Sequence, residues 1–223
     1  MNRAYLFDLD GTLLDTEILW VPATAEYLDS VGCPVGYEWA LRVVYGRSWT
    51  SVYADIVARF PELGRMDVQE MADAMAPFFH RLRDREDVRI SGSVRLLKRL
   101  SRRAPCCIVS GSPREEIEEA IRIMDAAGNV TLYLGAQDYA CGKPAPDCFL
   151  LAAKTLGVSP SRCIVFEDSE AGIRAARAAG MGAVALSRPD RPKQNVENAH
   201  LILSDLSDFR VRDLQAAIRR KGR

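Results

Sequence analysis

Two aspartates stand where an apolar run near the start of the chain closes. The segment FDLDGTLLDT covers residues 7–16 and follows the apolar residues 4–6. Asp8 and Asp10 repel each other and are costly to desolvate, so they must either face water or hold a positive charge between them. A lone Asp-x-Asp pair favours water, as in a polar loop that leaves a sheet. The rest of the chain has to decide between the two explanations.

Strand-length apolar runs recur along the 223 residues and alternate with segments of helical periodicity. This alternation is expected of a parallel sheet with crossover helices, so the sequence predicts an α/β fold with a Rossmann-like sheet core. Ser112 is placed to cap one helix ahead of Pro113, and Gly157 and Gly180 are placed to end two others. The predicted strands cover residues 4–9, 105–110, 131–134, 163–166, 183–186 and, more weakly, 201–203.

The segment from residue 16 to residue 85 interrupts this alternation. It contains no convincing strand, whereas apolar residues recur at helical spacing in three places. We therefore expect a small all-helical domain, residues 16–85, inserted after the first strand of a core domain formed by residues 1–15 and 86–223. The charged run at residues 83–87 coincides with the return to the α/β alternation and is interpreted as a hinge.

The composition argues against several classes of function. Lys plus Arg and Asp plus Glu both total 30, so the net charge is zero and no nucleic-acid partner is expected. No apolar stretch is long enough to span a membrane, and Asp8 comes too early for a signal peptide, which predicts a cytoplasmic protein without a membrane partner. His80 and His200 stand apart from cysteines and nucleophile motifs, which disfavours a zinc site or a Ser-His-Asp triad. Six cysteines show no CxxC pair, and those inside apolar runs are expected in the core.

Polar residues follow the predicted strands, at the edge where an open parallel sheet binds its ligands. Ser110 and Gly111 come at the end of the second strand, and Lys143 follows the third within a loop. Glu167 and Asp168 follow the fourth strand directly. We expect all of them to meet the two aspartates of the first strand in one site.

The carboxylates of this predicted site suit a magnesium ion. Mg²⁺ is commonly held by one or two carboxylates together with water and substrate phosphate. Asp8, Asp10 and Asp168 at neighbouring strand ends would supply the carboxylates, with Glu167 beside them, and the positive charge between the first two is then the metal. A metal-bound phosphate also brings a carboxylate close to phosphorus, and aspartate is an accepted nucleophile for phosphoryl transfer.

The remaining residues suit the phosphate itself. Ser110 and the Gly111 amide can donate hydrogen bonds to phosphate oxygens, and Lys143 supplies a compact positive charge. Each segment also has an explanation without a ligand: Lys143 as a surface lysine before a proline-rich turn, and the acidic pair 167–168 as a helix N-terminus favoured by the helix dipole. Their recurrence at successive strand ends favours a shared site.

Four segments in this order resemble the motifs of the haloacid dehalogenase-like (HAD) superfamily. They are FDLDGTLLDT, VSGS, GKPAPD and FEDSEAGIRAARAAGM. The resemblance covers nearly the whole chain, because the helical insert matches the position of that family's small C1 cap. It implies the HAD fold, with the cap inserted after the first strand, and Mg²⁺ as cofactor.

The resemblance also implies roles for individual residues. Asp8 resembles the nucleophile, and Asp10 resembles the general acid/base whose backbone carbonyl also binds Mg²⁺. Ser110 and Lys143 resemble the phosphate-binding pair of the family. The metal shell would be completed by Asp168 as a ligand and Glu167 as an acidic neighbour.

The reactions known in the family are not equally compatible with this sequence. Dehalogenases lack the second aspartate of the first motif, whereas Asp10 is present here. Phosphonate hydrolases use a cap lysine, and residues 16–85 contain no lysine. A phosphatase and a β-phosphoglucomutase-type isomerase remain.

Two residues of the helical insert bear on this choice. The mutases carry a histidine ten residues beyond the motif-one acid/base, where this chain has Trp20. Tryptophan cannot carry a proton, so we expect it to pack against substrate or within the cap. Arg47 lies in Gly46-Arg47-Ser48, which resembles the cap loop that contacts substrate, although a plain turn between two helices explains the segment equally well.

The sequence thus predicts a Mg²⁺-dependent phosphatase that hydrolyses a small phosphorylated metabolite, in particular a sugar phosphate, through an aspartyl-phosphate on Asp8. The β-phosphoglucomutase-type isomerase is the alternative. A non-catalytic binding module of the same fold is disfavoured, because Asp8, Asp10 and Lys143 are all present. We expect a monomer or weak dimer.

Overall fold

A computed structural model describes residues 3–221 of the chain. Two compact units are formed, one by the described residues up to Leu14 and from Arg89 onward, the other by Asp15–Val88. The predicted core domain also includes residues 1, 2, 222 and 223, which lie outside the described range. No helix within residues 3–221 is long and apolar enough to cross a bilayer.

The first unit contains a parallel sheet of six strands in the described range, in the order β3-β2-β1-β4-β5-β6. Phe7 on the central strand pairs with Ile108 on one side and Phe166 on the other. The predicted α/β fold with a parallel, Rossmann-like sheet is confirmed. The strands are β1 (Ala4–Phe7), β2 (Cys106–Val109), β3 (Leu132–Leu134), β4 (Cys163–Glu167), β5 (Gly182–Leu186) and β6 (Leu201–Leu203).

Nine α-helices are formed within the described residues, four in the second unit and five in the first. Gly157 and Gly180 have φ angles of 65° and 71° just beyond two of them, as helix-ending glycines do. The helices of the second unit are α1 (Trp20–Ser30), α2 (Tyr37–Val44), α3 (Trp49–Arg59) and α4 (Val68–Arg83). Those of the first are α5 (Ser91–Ser101), α6 (Arg114–Ile123), α7 (Asp147–Thr155), α8 (Glu170–Ala178) and α9 (Val211–Lys221).

The α/β core is built on the faces of the sheet. Strands β1, β2, β4 and β5 are buried throughout, and the cysteines that they carry are core residues, as predicted. On one face, Phe166 stacks on Phe7 with ring centroids 4.6 Å apart and meets Phe209 edge-on at 4.9 Å. This aromatic group packs β1 against β4 close to the carboxyl ends of the two strands.

Two local predictions are wrong. Strand β1 ends at Phe7 rather than at residue 9, because the chain turns immediately afterwards, and Gly11 adopts a φ of 82° in that turn. Ser112 is not the cap of α6: the N-cap position is Pro113, whose ψ of 155° is extended, and the helix begins at Arg114. The hydroxyl of Ser112 instead donates to the side chain of Asp10.

The second unit is a helical bundle with its own hydrophobic core. Buried residues such as Val21, Ile56 and Met75 come from α1, α3 and α4. Trp20 stacks on Phe79 with ring centroids 4.1 Å apart and an interplanar angle of 9°. The sequence missed α2, which is only eight residues long.

The aromatic group behind the strand ends generates a stability prediction. We expect Phe166→Ala to destabilise the protein by about 3–5 kcal/mol, the usual loss for a fully buried phenylalanine. Leu150→Ala on α7 is the control, because Leu150 is 40% exposed and should cost less than about 1 kcal/mol. Urea unfolding followed by circular dichroism measures both. Equal losses would contradict a core centred on Phe166.

Candidate active site

The strand ends bring the predicted site residues of the α/β unit to one edge of the sheet. Asp8 follows β1, Ser110 follows β2, and Glu167 is the last residue of β4. The ladder continues past the strands: the Asp8 amide donates to Phe166 O at 2.9 Å, and the Ser110 amide donates to Leu134 O at 3.0 Å. The backbone therefore fixes where each side chain starts.

A buried lysine ammonium lies at the centre of the site. Lys143 Nζ donates to Asp8 Oδ1 at 2.5 Å, to Glu167 Oε1 at 2.7 Å and to Val109 O at 3.1 Å. An ammonium has three donor hydrogens, and these three contacts match that number. The Lys143 side chain is only 12% exposed, so it is not a surface lysine.

The electrostatics of this group are unusual. Burial raises the pKa of Asp8 well above its ordinary range; Lys143 opposes the shift and Glu167 adds to it. Burial alone would lower the pKa of Lys143, but the carboxylates of Asp8 and Glu167 outweigh burial and raise it. Lys143 therefore remains a cation, and Asp8 is a carboxyl group whose ionisation requires nearby positive charge.

The acidic side of the site has a donor set that suits a hard cation. Carboxylate oxygens of Asp8, Glu167 and Asp168 lie within 4.8 Å of one another. Oxygen ligands from carboxylates are those that Mg²⁺ prefers. These residues therefore fit the metal that the sequence predicts.

The Gly-Thr pair of the first motif shapes this acidic side. Thr12 Oγ1 donates to Asp168 Oδ1 at 2.9 Å, although 156 residues separate the two. A Cβ atom on Gly11 would lie 2.2 Å from Asp168 Oδ2, so only glycine allows Asp168 this approach. Sequence reasoning gave neither residue a role.

Glu167 is anchored from both sides. While Oε1 accepts from Lys143, Oε2 accepts from the backbone amide and the hydroxyl of Ser169 at 2.9 and 2.8 Å. Ser169 also caps α8 by accepting from the Gly172 amide at 3.0 Å. Glu167 belongs to β4 and is only 1% exposed, so it is not simply the acidic start of a helix.

Asp10 meets two serines from the loop after β2. Ser112 Oγ donates to Asp10 Oδ2 at 2.9 Å, and Ser110 Oγ lies 3.4 Å from the same oxygen. Gly111 occupies the exposed turn between these serines. Tyr139, which sequence reasoning also missed, donates its hydroxyl to Ser110 O at 2.7 Å.

Trp20 and Arg47 lie in the helical unit, and their contacts there are well defined. Besides stacking on Phe79, Trp20 meets Trp49 edge-on with centroids 4.7 Å apart. Arg47 forms an ion pair with Asp55 at 2.8 Å. It sits in a turn between α2 and α3, in which Ser48 caps α3. Arg47 is therefore engaged in an exposed ion pair.

The fold and the site together define an α/β enzyme that places carboxylates and a lysine at the carboxyl edge of a parallel sheet. The model of the haloacid dehalogenase-like hydrolase family matches residues 2–180. The chain belongs to this family, and the resemblance seen in its motifs is confirmed.

Individual relatives cover nearly the whole chain. The validoxylamine A 7'-phosphate phosphatase of Streptomyces hygroscopicus subsp. limoneus is 33% identical over 94% of this chain and 97% of its own. Hexitol phosphatase A of Escherichia coli is 30% identical over 94% of both chains.

Solved structures show the same fold. A family IA HAD hydrolase from Entamoeba histolytica has a TM-score of 0.80 at 22% identity, covering 98% of this chain and 100% of its own. A β-phosphoglucomutase from Clostridium difficile has a TM-score of 0.75 at 23% identity, covering 99% of each. At these identities the similarity concerns the fold alone.

The raised pKa of Asp8 predicts a pH-dependent stability. A folded-state pKa above the unfolded value means that the folded protein holds a proton that the unfolded chain has released, so stability falls as pH rises from about 3.8 through the raised pKa. Asp8→Asn stays neutral and avoids this loss. With metal removed by chelation, we expect Asp8→Asn to unfold at a higher temperature than wild type at pH 8, and the difference to shrink towards pH 4. A difference in unfolding temperature that does not change with pH would contradict the raised pKa of Asp8.

Proposed function

We propose that this enzyme is a Mg²⁺-dependent phosphatase that hydrolyses a small phosphorylated metabolite, in particular a sugar phosphate, through an aspartyl-phosphate on Asp8. The observation that carries the proposal is the buried Asp8 carboxyl, bonded to Lys143 and adjoining the acidic group of Glu167 and Asp168. The phosphatase names of relatives at 30–33% identity bear out a phosphoric monoester hydrolase.

The proposed chemistry has two steps. In the first, Asp8 attacks phosphorus, the bond to the leaving oxygen breaks, and Asp10 gives that oxygen a proton. In the second, Asp10 takes a proton from water, which attacks phosphorus and releases phosphate from Asp8. Lys143 and Ser110, with the Gly111 amide, would bind the phosphate oxygens while negative charge develops on them.

Mg²⁺ would be held by Asp8, Asp168 and the backbone carbonyl of Asp10, with Glu167 beside it. When bound, the ion neutralises phosphate charge and supplies the positive charge that the buried Asp8 carboxylate requires. The bonds from Glu167 to Lys143 and Ser169 support a role for this glutamate in ordering the site rather than a primary contact with the metal.

The isomerase alternative is less well supported. The relatives with the higher identities carry phosphatase names, whereas the similarity to β-phosphoglucomutase structures concerns the fold. A mutase must also protect its phosphorylated aspartate from water under proton control. Trp20 cannot supply the proton that a histidine supplies, and its stacking on Phe79 supports a packing role.

We further propose that the helical unit selects the substrate, with Trp20 and Arg47 contributing. A cap that reads the leaving group explains how one catalytic core can serve different phosphate esters. A cytoplasmic location and a monomeric or weakly dimeric state stay predictions from the sequence.

The function is tested by measuring phosphate release from a panel of sugar and sugar-alcohol phosphates with Mg²⁺. We expect EDTA to abolish turnover and added Mg²⁺ to restore it. Asp8→Asn should lower kcat by more than about a thousandfold, because losing a covalent nucleophile costs several kcal/mol of barrier.

Three outcomes would count against this function. Asp8→Asn activity within about tenfold of wild type would exclude the aspartyl-phosphate, since a lost nucleophile cannot cost so little. Turnover without metal would exclude the role of Mg²⁺. Conversion of β-glucose 1-phosphate to glucose 6-phosphate with little phosphate released would establish the isomerase instead.

The proposed role of Arg47 is separable from its ion pair. We expect Arg47→Ala to raise KM about tenfold for the preferred substrate and far less for acetyl phosphate, since one contact to a distal group contributes about 1.4 kcal/mol. Asp55→Ala is the matched control, because it breaks the same exposed pair, which contributes little stability, and keeps the arginine. Equal KM changes for both substrates, or in both variants, would show that Arg47 does not read the leaving group.

A further inference from the structure

We propose that Ser112 is a positioning residue that holds the Asp10 carboxylate in place for proton transfer. This inference rests on the proposed function, in which Asp10 is the general acid/base. Its starting point is the 2.9 Å hydrogen bond from Ser112 Oγ to Asp10 Oδ2, which joins the loop after β2 to the loop after β1.

The local sequence predicts that Ser112 caps a helix, but the structure shows that it does not. A serine ahead of proline and glutamate is a typical helix start, in which the hydroxyl would cap the backbone. The N-cap position is instead occupied by Pro113, and α6 begins one residue later at Arg114. The Ser112 hydroxyl therefore points away from the helix amides and donates to a carboxylate.

The hydrogen-bond distances to Asp10 distinguish Ser112 from its neighbour Ser110. Hydrogen bonds between hydroxyl and carboxylate oxygens are usually shorter than 3.0 Å, which the Ser112 contact satisfies and the 3.4 Å contact of Ser110 does not. A serine hydroxyl has one donor hydrogen. If Ser110 turns its hydrogen to phosphate, Ser112 still donates to Asp10.

The two serines are also coupled to each other. The Ser112 amide donates to Ser110 Oγ at 3.0 Å, so Ser110 can keep this acceptor contact while its own hydrogen is directed elsewhere. The loop thus gives each hydroxyl a separate partner: the substrate phosphate for Ser110 and the Asp10 carboxylate for Ser112.

Ser112 is itself held firmly by the segment after β3. The Ala136 amide donates to Ser112 O at 3.1 Å. A Cβ on Gly135 would lie 2.9 Å from Ser112 O and 3.0 Å from the Arg114 amide nitrogen, so the two segments pack backbone against backbone. A hydroxyl on this fixed backbone can hold a carboxylate with little loss of conformational entropy on substrate binding.

The consequence depends on the leaving group. An alkyl oxygen needs a proton as its bond to phosphorus breaks, whereas p-nitrophenolate leaves as a stable anion. We expect Ser112→Ala to lower kcat/KM about tenfold for a sugar phosphate that the wild type hydrolyses. This loss is a fraction of the rate enhancement of roughly 10²–10⁴-fold that acid catalysis supplies. For p-nitrophenyl phosphate the change should stay within about twofold, because acid catalysis adds little there.

Three variants make the test specific. Ser112→Thr keeps the hydroxyl and should retain most of the sugar-phosphate activity. Ser161→Ala, at an exposed serine before the opposite end of β4, is the matched control and should behave as wild type. In an Asp10→Ala background, the tenfold effect of Ser112→Ala on the residual sugar-phosphate activity should disappear, because the residue on which Ser112 acts is gone.

A binding measurement tests whether Ser112 contacts phosphate directly. Calorimetric titration with inorganic phosphate and Mg²⁺ should give the same affinity for Ser112→Ala as for wild type, within about twofold. Weaker phosphate binding, equal losses of kcat/KM on both esters, or a further loss in the Asp10→Ala background would each overturn the proposal while wild-type phosphatase activity stands. Wild-type protein that releases phosphate from no ester would overturn the proposed function and this inference together.

Discussion

The site depends on one buried positive charge shared by two carboxyl groups. Lys143 bonds to Asp8 and Glu167 where all three side chains are nearly removed from solvent. Replacing the lysine by a neutral residue would leave two uncompensated carboxylates in the interior, which is strongly destabilising. Two further contacts hold this charged group in place at the ends of β1 and β4. Lys143 donates its third hydrogen bond to Val109 O, and Glu167 accepts from Ser169.

Backbone proximity sets the second constraint. A Cβ on Gly172 would lie 1.7 Å from Glu167 Oε1, and one on Gly11 would lie 2.2 Å from Asp168 Oδ2. Each carboxylate therefore rests against a main chain that carries no side chain at that point. The positions of the acidic groups are determined by steric exclusion as much as by hydrogen bonds, which explains how several carboxylates come so close together.

The sequence predicted most of the sheet and the site residues placed at its edge, because both follow from chain order. In a parallel sheet the carboxyl ends of strands meet, so Asp8, Ser110 and Glu167 could be grouped without knowing their neighbours. Contacts between distant segments could not be predicted in this way. The bond from Thr12 to Asp168 has no local signature, and the choice between cap and site for Ser112 depends on a backbone angle at Pro113 that the sequence leaves open.

The reactivity of the core cysteines depends on whether the folded chain opens. Cys106, Cys107, Cys148 and Cys163 are buried, and burial raises the pKa of each thiol, to about 12 for Cys106 and about 11 for Cys163. Thiolates are the reactive form, so these groups are both shielded and unreactive in the native state. Cys141 is exposed. An alkylating reagent is therefore expected to modify Cys141 quickly and the buried cysteines slowly, so that the slow rate reports how often the interior opens.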